Sequence, residues 1–209
     1  RKDGKNFILN GKKSMVQNAE TANQIVVVAR TSGGQVDQQG ITLFLIDEDS
    51  SGLVKENFPT VDGLRASEIT LDNVEVSEER VLGKVDEGFK ILQAVANDAI
   101  LALSAEAVGS MEILYKDTVE YTQQREQFDH PLSEFQVLQH RMVDMFMEYE
   151  QCKSMLFRAT MEVAQDPEAA QKTIHGLKYL IGKSGIFVGE NAVQLHGGMG
   201  VTEELRVGH

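Results

Sequence analysis

Arg125 stands at a break between two long helical patterns, in the stretch Tyr121-Thr122-Gln123-Gln124-Arg125-Glu126-Gln127-Phe128-Asp129-His130-Pro131-Leu132-Ser133-Glu134-Phe135-Gln136. Pro131, inside it, is the only proline between Pro59 and Pro167. A guanidinium is a planar fork of donors that keeps its charge at any working pH, so an Arg at a helix break suits an anion. The same Arg could instead serve the last carbonyls of the preceding helix. A second cluster, Gly197-Gly198-Met199-Gly200, follows Gln194-Leu195-His196. Glycines there let a ligand approach the backbone, or simply stop a helix.

Other chemistries fail on setting. Gly176 to Ser184 has the glycine, lysine and serine of a phosphate loop, but one residue too many, and it lies inside a helical pattern rather than after a strand. The Gly197 cluster lacks the strand-turn-helix context of a dinucleotide fingerprint. Five His show no paired metal spacing, and His140 and His175 read as helix residues, so no metal site is expected. No Gly-x-Ser-x-Gly elbow occurs. Met142, Met145, Met147, Met155 and Met161 are expected to pack a core.

The elements that must position Arg125 and the glycines fall into two kinds. Up to residue 83, β-branched runs alternate with turn residues; from 84 to 209, Ala, Leu, Met, Glu and Gln dominate. The reading is α+β: an antiparallel sheet or small barrel, then an antiparallel helix bundle. Asn6–Leu9 and Lys12–Gln17 flank Asn10-Gly11 and predict a hairpin. Gln24–Thr31, Gly40–Ile46, Gly52–Phe58 and Ala66–Val76 read as further strands, with a mobile loop opening at Ser32-Gly33-Gly34. A first helix runs from Gly88 to about Gln124, with Phe89, Leu92, Ala96, Ala99 and Leu103 on one face. A second runs to Gln165 and a third from Glu168 to His196. Asp166-Pro167 separates them, and Thr202-Glu203-Glu204 is expected to open a fourth.

The 209 residues carry 20 basic and 32 acidic side chains, a net charge of -12, which argues against a nucleic-acid surface. Uninterrupted apolar runs such as Ile25 to Ala29 are too short to span a membrane. A single Cys152 offers no disulfide framework and fits a reducing compartment. Arg1 at the first position is expected of a fragment.

Several motifs in order resemble one family. Gly63-Leu64-Arg65-Ala66-Ser67, Leu71-Asp72-Asn73-Val74-Glu75-Val76, Val81-Leu82-Gly83 and Gly88 resemble the end of the middle β-domain of acyl-CoA dehydrogenases. Arg125-x-Gln127-Phe128, with Gln136 further on, and Gln194-Leu195-His196-Gly197-Gly198-Met199-Gly200 resemble that family's C-terminal helical domain. The resemblance implies FAD shared across a subunit interface. Arg125, Gln127, Phe128, Phe135 and Gln136 would hold its adenosine-diphosphate half, and Gln194, Leu195, His196, Gly197 and Gly198 would approach from the neighbouring subunit. The family's ring-packing Trp-x-Thr matches Met15-Val16-Gln17, so a thioether replaces the indole.

The implied reaction is α,β-dehydrogenation of an acyl-CoA to a 2,3-enoyl thioester, with an electron-transfer flavoprotein or similar acceptor. In most members the Glu base would lie past His209. In others it matches Ala99, which cannot act as a base, so no catalytic residue is assigned. The family's substrate-contacting Asp and Arg match Asn97 and Ile100. Glu106, Glu203 and Glu204 read as solvated or helix-start carboxylates. Ala102, Ala105 and Gly109 permit close helix approach, and the resemblance implies a homo- or hetero-oligomer arranged as a dimer of dimers. A cytoplasmic setting is expected, or a mitochondrial matrix if eukaryotic. The alternative is a non-catalytic subunit of the same fold, serving assembly and flavin sharing in a heteromeric complex.

Overall fold

A computed structural model describes residues 1–208 and divides the chain into two compact units, Arg1–Gln93 and the part from Ala94 onward. In the first unit, one antiparallel sheet has the order β1 (Lys2–Asp3), β2 (Asn6–Gln17), β6 (Arg65–Ser77), β5 (Leu53–Pro59). The other is β3 (Gln24–Arg30), β4 (Ile41–Asp47), β7 (Val81–Leu82). Alternation sets the inner faces: Phe7 and Leu9 from β2, Ile25 and Val27 from β3, Phe44 and Ile46 from β4, and Ile69, Leu71, Val74 and Val76 from β6 form one core. Phe7 and Phe44 meet at the centre, with ring centroids 5.0 Å apart and both side chains buried.

The hairpin expected at Asn10-Gly11 is absent, because β2 runs through the dipeptide as a single strand paired with β6. The pairing slips there: Leu9 faces Val74 and Gly11 faces Leu71, so β6 carries an extra residue. Asn73 takes φ 53°, and its amide donates to Asn10 Oδ1 at 2.9 Å. The bulge switches the inward face of β6 from odd to even residues. A turn and a bulge both favour Asn and Gly, which is why the local signal misled.

The loop after β3 is tied down rather than free. Arg30 donates to the carbonyls of Ser32, Gln35, Asp37 and Gln39, and the Gly34 amide donates to Asp37 Oδ2. Gly40 closes it at φ 84°, where a Cβ would lie 2.0 Å from the Ser32 carbonyl oxygen.

The second unit is built on three helices, α1 (Gly88–Gln124, which starts in the first unit), α2 (Gln136–Gln165) and α3 (Gln171–His196). Val108, Met111, Met145, Tyr149, Cys152, Val188 and Ala192 make its core. Asp166 Oδ1 accepts from the amides of Glu168 and Ala169, capping the turn that leads into α3. The phosphate-loop look-alike lies wholly inside α3. Cys152 is free and buried, and burial pushes its thiol up. Of the methionines assigned to the core, Met145 is buried, whereas Met147 and Met161 are exposed.

Two helical expectations are corrected. The buried stripe of α1 is Asn97, Ser104, Val108, Met111, Thr118 and Thr122, while Leu103 from the expected face is 62% exposed. This helix is apolar around much of its circumference, so periodicity alone does not choose a side. Thr202-Glu203-Glu204 opens no α-helix among the described residues. Tight turns at Gly197–Val201 and Arg206–Gly208 fold back instead, and Val207 is buried in the helical core.

An 18-residue window of α1 has a mean hydropathy of 1.4, enough by length and composition to cross a membrane, and only 17% of it is buried. Counting uninterrupted apolar runs overlooks this window. Asp98 and Glu106 stand exposed on the same helix, and a carboxylate at mid-bilayer costs about 2.5–3.5 kcal/mol.

Candidate functional site

The chain between α1 and α2 forms a miniature hairpin, β8 (Glu126–Gln127) and β9 (His130–Pro131), turning on Phe128 and Asp129 at φ 58° and 66°. Positive φ at both central residues matches the right-handed twist of the flanking strands. Arg125 is anchored on both sides: its amide donates to Tyr121 O, and its carbonyl accepts from Leu132 N, each at 2.8 Å. The Arg thus leaves α1 at a fixed place.

Opposite it, α3 ends at His196 and the chain reverses at Gly197, with φ 61° and ψ -139°. That backbone region is nearly restricted to glycine. The Gly197 amide is spent on the Gln194 carbonyl, so this glycine is a helix stop. A Cβ at Gly197 or Gly198 would meet nothing within 4 Å, which leaves the backbone open to approach.

These two features enclose a cleft of about 480 Å³, lined by Tyr121, Arg125 and Gln127 on one side and Gln194 to Met199 on the other, with Leu132 and Leu138. Sequence reading divides the Arg and the glycines between neighbouring subunits. Within one chain both line the same cleft. Two helix C-termini, at Gln124 and His196, end beside this cleft and disfavour an anion, whereas the Arg125 charge favours one. A larger neighbouring groove of about 780 Å³ is mainly apolar, and its one charged lining residue is Glu190.

The remaining candidates lie elsewhere. Phe128 is 84% exposed and meets Phe135 edge to face at 6.3 Å, beside the cleft's hairpin. Gln136 opens α2 and is exposed. Leu195 is buried, at the wall of the cleft. Met15, Val16 and Gln17 belong to the first unit, where a second bulge gives Met15 φ 53° and its amide donates to Glu68 Oε1 at 3.3 Å. Met15 is thereby exposed rather than packed. Asn97 is buried and does not line the Arg125 cleft; Ala99 is exposed. Among the described residues no group of three or more His, Cys, Asp or Glu could hold a metal.

Sequence reading gave Tyr121 no role, although it stands one helical turn before Arg125 and so shares its face. It also missed Asp117, which receives two hydrogen bonds from Arg206 at 2.6 and 2.8 Å and ties the C-terminal turns to α1. Hydrogen bonds from Arg206 hold the Asp117 carboxyl below its ordinary value of 3.8, while desolvation opposes them. A depressed carboxyl contributes stability above its unfolded pKa and loses it as pH falls through the folded value. Asp117→Asn should therefore lower the melting temperature at neutral pH and flatten its decline below about pH 3.9. Thermal melts of both proteins between neutral pH and about pH 2 check this.

Antiparallel sheets followed by a helical unit with an Arg-lined cleft define a two-part α+β protein. Residues 1–74 match the acyl-CoA dehydrogenase middle domain and 86–209 match the acyl-CoA dehydrogenase C-terminal domain. The chain belongs to the acyl-CoA dehydrogenase family. It is 28% identical over 210 residues to the 3-(aryl)acrylate reductase of Clostridium sporogenes, covering 99% of this chain and 55% of that protein. Over 211 residues it is 29% identical to the short-chain specific acyl-CoA dehydrogenase of Megasphaera elsdenii, covering 99% and 54%. The solved structure of PigA with FAD and proline superposes with a TM-score of 0.89 at 31% identity, covering 96% of this chain and 52% of PigA. The chain spans about half the length of the relatives it matches.

Proposed function

We propose that this chain is the middle and C-terminal part of an FAD-dependent dehydrogenase that oxidises an acyl-CoA thioester to the 2,3-enoyl thioester. The observation that carries the proposal is Arg125 and the Gly197-Gly198 turn facing one cleft. The residues fit the group: a guanidinium on an anchored backbone matches a diphosphate, Gln127 adds a neutral amide, and the open backbone at Gly198 leaves room for an adenosine diphosphate. Phe128 and Phe135 offer exposed ring surface for an adenine, and Gln136 an amide beyond it. In the first unit, the bulge at Met15 holds a thioether outward, able to lie against a flat ring.

Bound FAD would supply the hydride-accepting chemistry. The chain's own part is to hold and orient it, since Ala99 and Ile100 provide neither a base nor a charge for substrate. Asn97 is kept as a substrate-contact candidate on the matching position alone. The reduced cofactor would pass electrons to an electron-transfer flavoprotein or similar acceptor, in a reducing compartment such as a bacterial cytoplasm.

The exposed Ile91, Val95, Leu103 and Ile113 on α1, with Ala102, Ala105 and Gly109 also exposed, favour self-association through this helix as a dimer of dimers. The missing charges at Ala99 and Ile100 favour a second reading, a non-catalytic subunit that retains fold and interface. The test is to purify the full-length protein alone and with candidate partner subunits, and to measure released flavin by absorbance and mass by light scattering. FAD with acyl-CoA oxidation supports the dehydrogenase. Retained FAD without turnover supports the second reading, and absence of flavin from every preparation sinks both.

A further inference from the structure

The wall between Arg125 and the glycine turn is a pair of rings. His196 is the last residue of α3, 6% exposed, and its ring lies 4.3 Å from that of Tyr121 on α1. Tyr121 Oη donates to the His196 carbonyl oxygen at 3.3 Å, across the two helices. His196 Nδ1 lies 2.8 Å from the Ala192 carbonyl, an acceptor only, so Nδ1 carries a proton and the ring orientation is fixed by its own helix. Both side chains line the Arg125 cleft.

A buried Leu or Phe would fill this space without leaving a polar ring to satisfy. The imidazole does something an apolar side chain does not: it locks the terminal turn of α3 while Tyr121 holds the carbonyl immediately before Gly197. Tyr121 stands one turn before Arg125, so the same contact sets the separation between the backbone that carries the guanidinium and the glycine turn. Two groups on different elements can serve one diphosphate only if that separation is held to about 0.5 Å. Asp117 with Arg206 ties the following turn, Arg206–Gly208, to the same helix, α1.

We infer that Tyr121 and His196 are positioning residues for cofactor binding, registering the Gly197-Gly198 turn against Arg125. The inference rests on the FAD reading above and adds a role to two residues that need not touch the cofactor. Full-length wild type and the Tyr121→Phe, His196→Phe, His196→Asn and Arg125→Lys variants, together with the Tyr121→Phe/Arg125→Lys double variant, would be titrated with FAD after flavin removal. The readouts are flavin fluorescence and apoprotein melting temperature.

Tyr121→Phe keeps the ring and loses one hydrogen bond, so it should fold, yet raise the FAD Kd about tenfold. His196→Asn, which can still donate to Ala192 O, should retain more affinity than His196→Phe. The Tyr121→Phe and Arg125→Lys effects should be less than additive, because a displaced turn already wastes the Arg fork. A lowered apoprotein melting temperature with FAD Kd within about twofold of wild type, while Arg125→Lys weakens binding, would leave the pair merely structural and overturn the inference. Wild type that takes up no FAD, or Arg125→Lys without effect, would instead fail the FAD reading itself.

Discussion

Arg125→Ala is expected to raise the FAD dissociation constant about 10- to 150-fold, since losing charged hydrogen bonds to a diphosphate costs about 1.5–3 kcal/mol. Among the described residues Arg125 is the only Arg or Lys lining the cleft, and α1 and α3 both end beside it, at Gln124 and His196. Without the guanidinium, a diphosphate would face partial negative charge from two helix ends and gain only amides. Arg125→Lys should recover part of the loss, because the charge returns but the planar fork does not. Flavin per protein after gel filtration, followed by a fluorescence titration of the apoprotein, measures both. Retention equal to wild type in Arg125→Ala would remove this residue from the cofactor site. Loss of folding is not expected, since the backbone of Arg125, not its side chain, makes the bonds to Tyr121 and Leu132.

Gly200→Ala is expected to damage stability and cofactor binding together. Gly200 is buried, and a Cβ there would lie 2.5 Å from the Val193 carbonyl oxygen and 3.1 Å from His196 Cβ. Backbone cannot yield as a flexible side chain would, so the turn after α3 must move. Overpacking of this kind costs about 1–3 kcal/mol, or roughly 2–12 °C in melting temperature for a domain of this size. Because the displaced segment carries Gly197 and Gly198, FAD affinity should fall with it. Gly198→Ala is the matching control: its Cβ enters open space, so the melting temperature should hold while any loss of affinity reports contact with the ligand. A Gly200→Ala protein with wild-type melting temperature would contradict the packing described here.

Most strands and all three long helices are legible from periodicity and punctuation. The β-branched runs at Gln24, Ile41 and Leu53 fall within a residue or two of the observed strands, and Pro131 and Asp166-Pro167 mark the two helix breaks. The failures share a cause. Asn10-Gly11 permits either a turn or a bulge, and the choice depends on β6, more than fifty residues away, offering Asn73 as a hydrogen-bond partner. On α1, apolar residues lie on several faces, so the buried stripe is set by where α2 and α3 pack. The end of α3 is legible from its glycines, but the turns after it are held by Val207 in the core and by Arg206 on Asp117.

The sequence by itself determined the kind of elements, their order and the presence of an Arg and a glycine turn able to serve an anion, because these depend on local conformational preference and side-chain chemistry. Tertiary structure decided that Arg125 and Gly197-Gly198 face one cleft in a single chain, with Tyr121 against His196 between them. Residues 125 and 197 are brought together by the packing of α1 and α3, and no local rule relates positions so far apart along the chain.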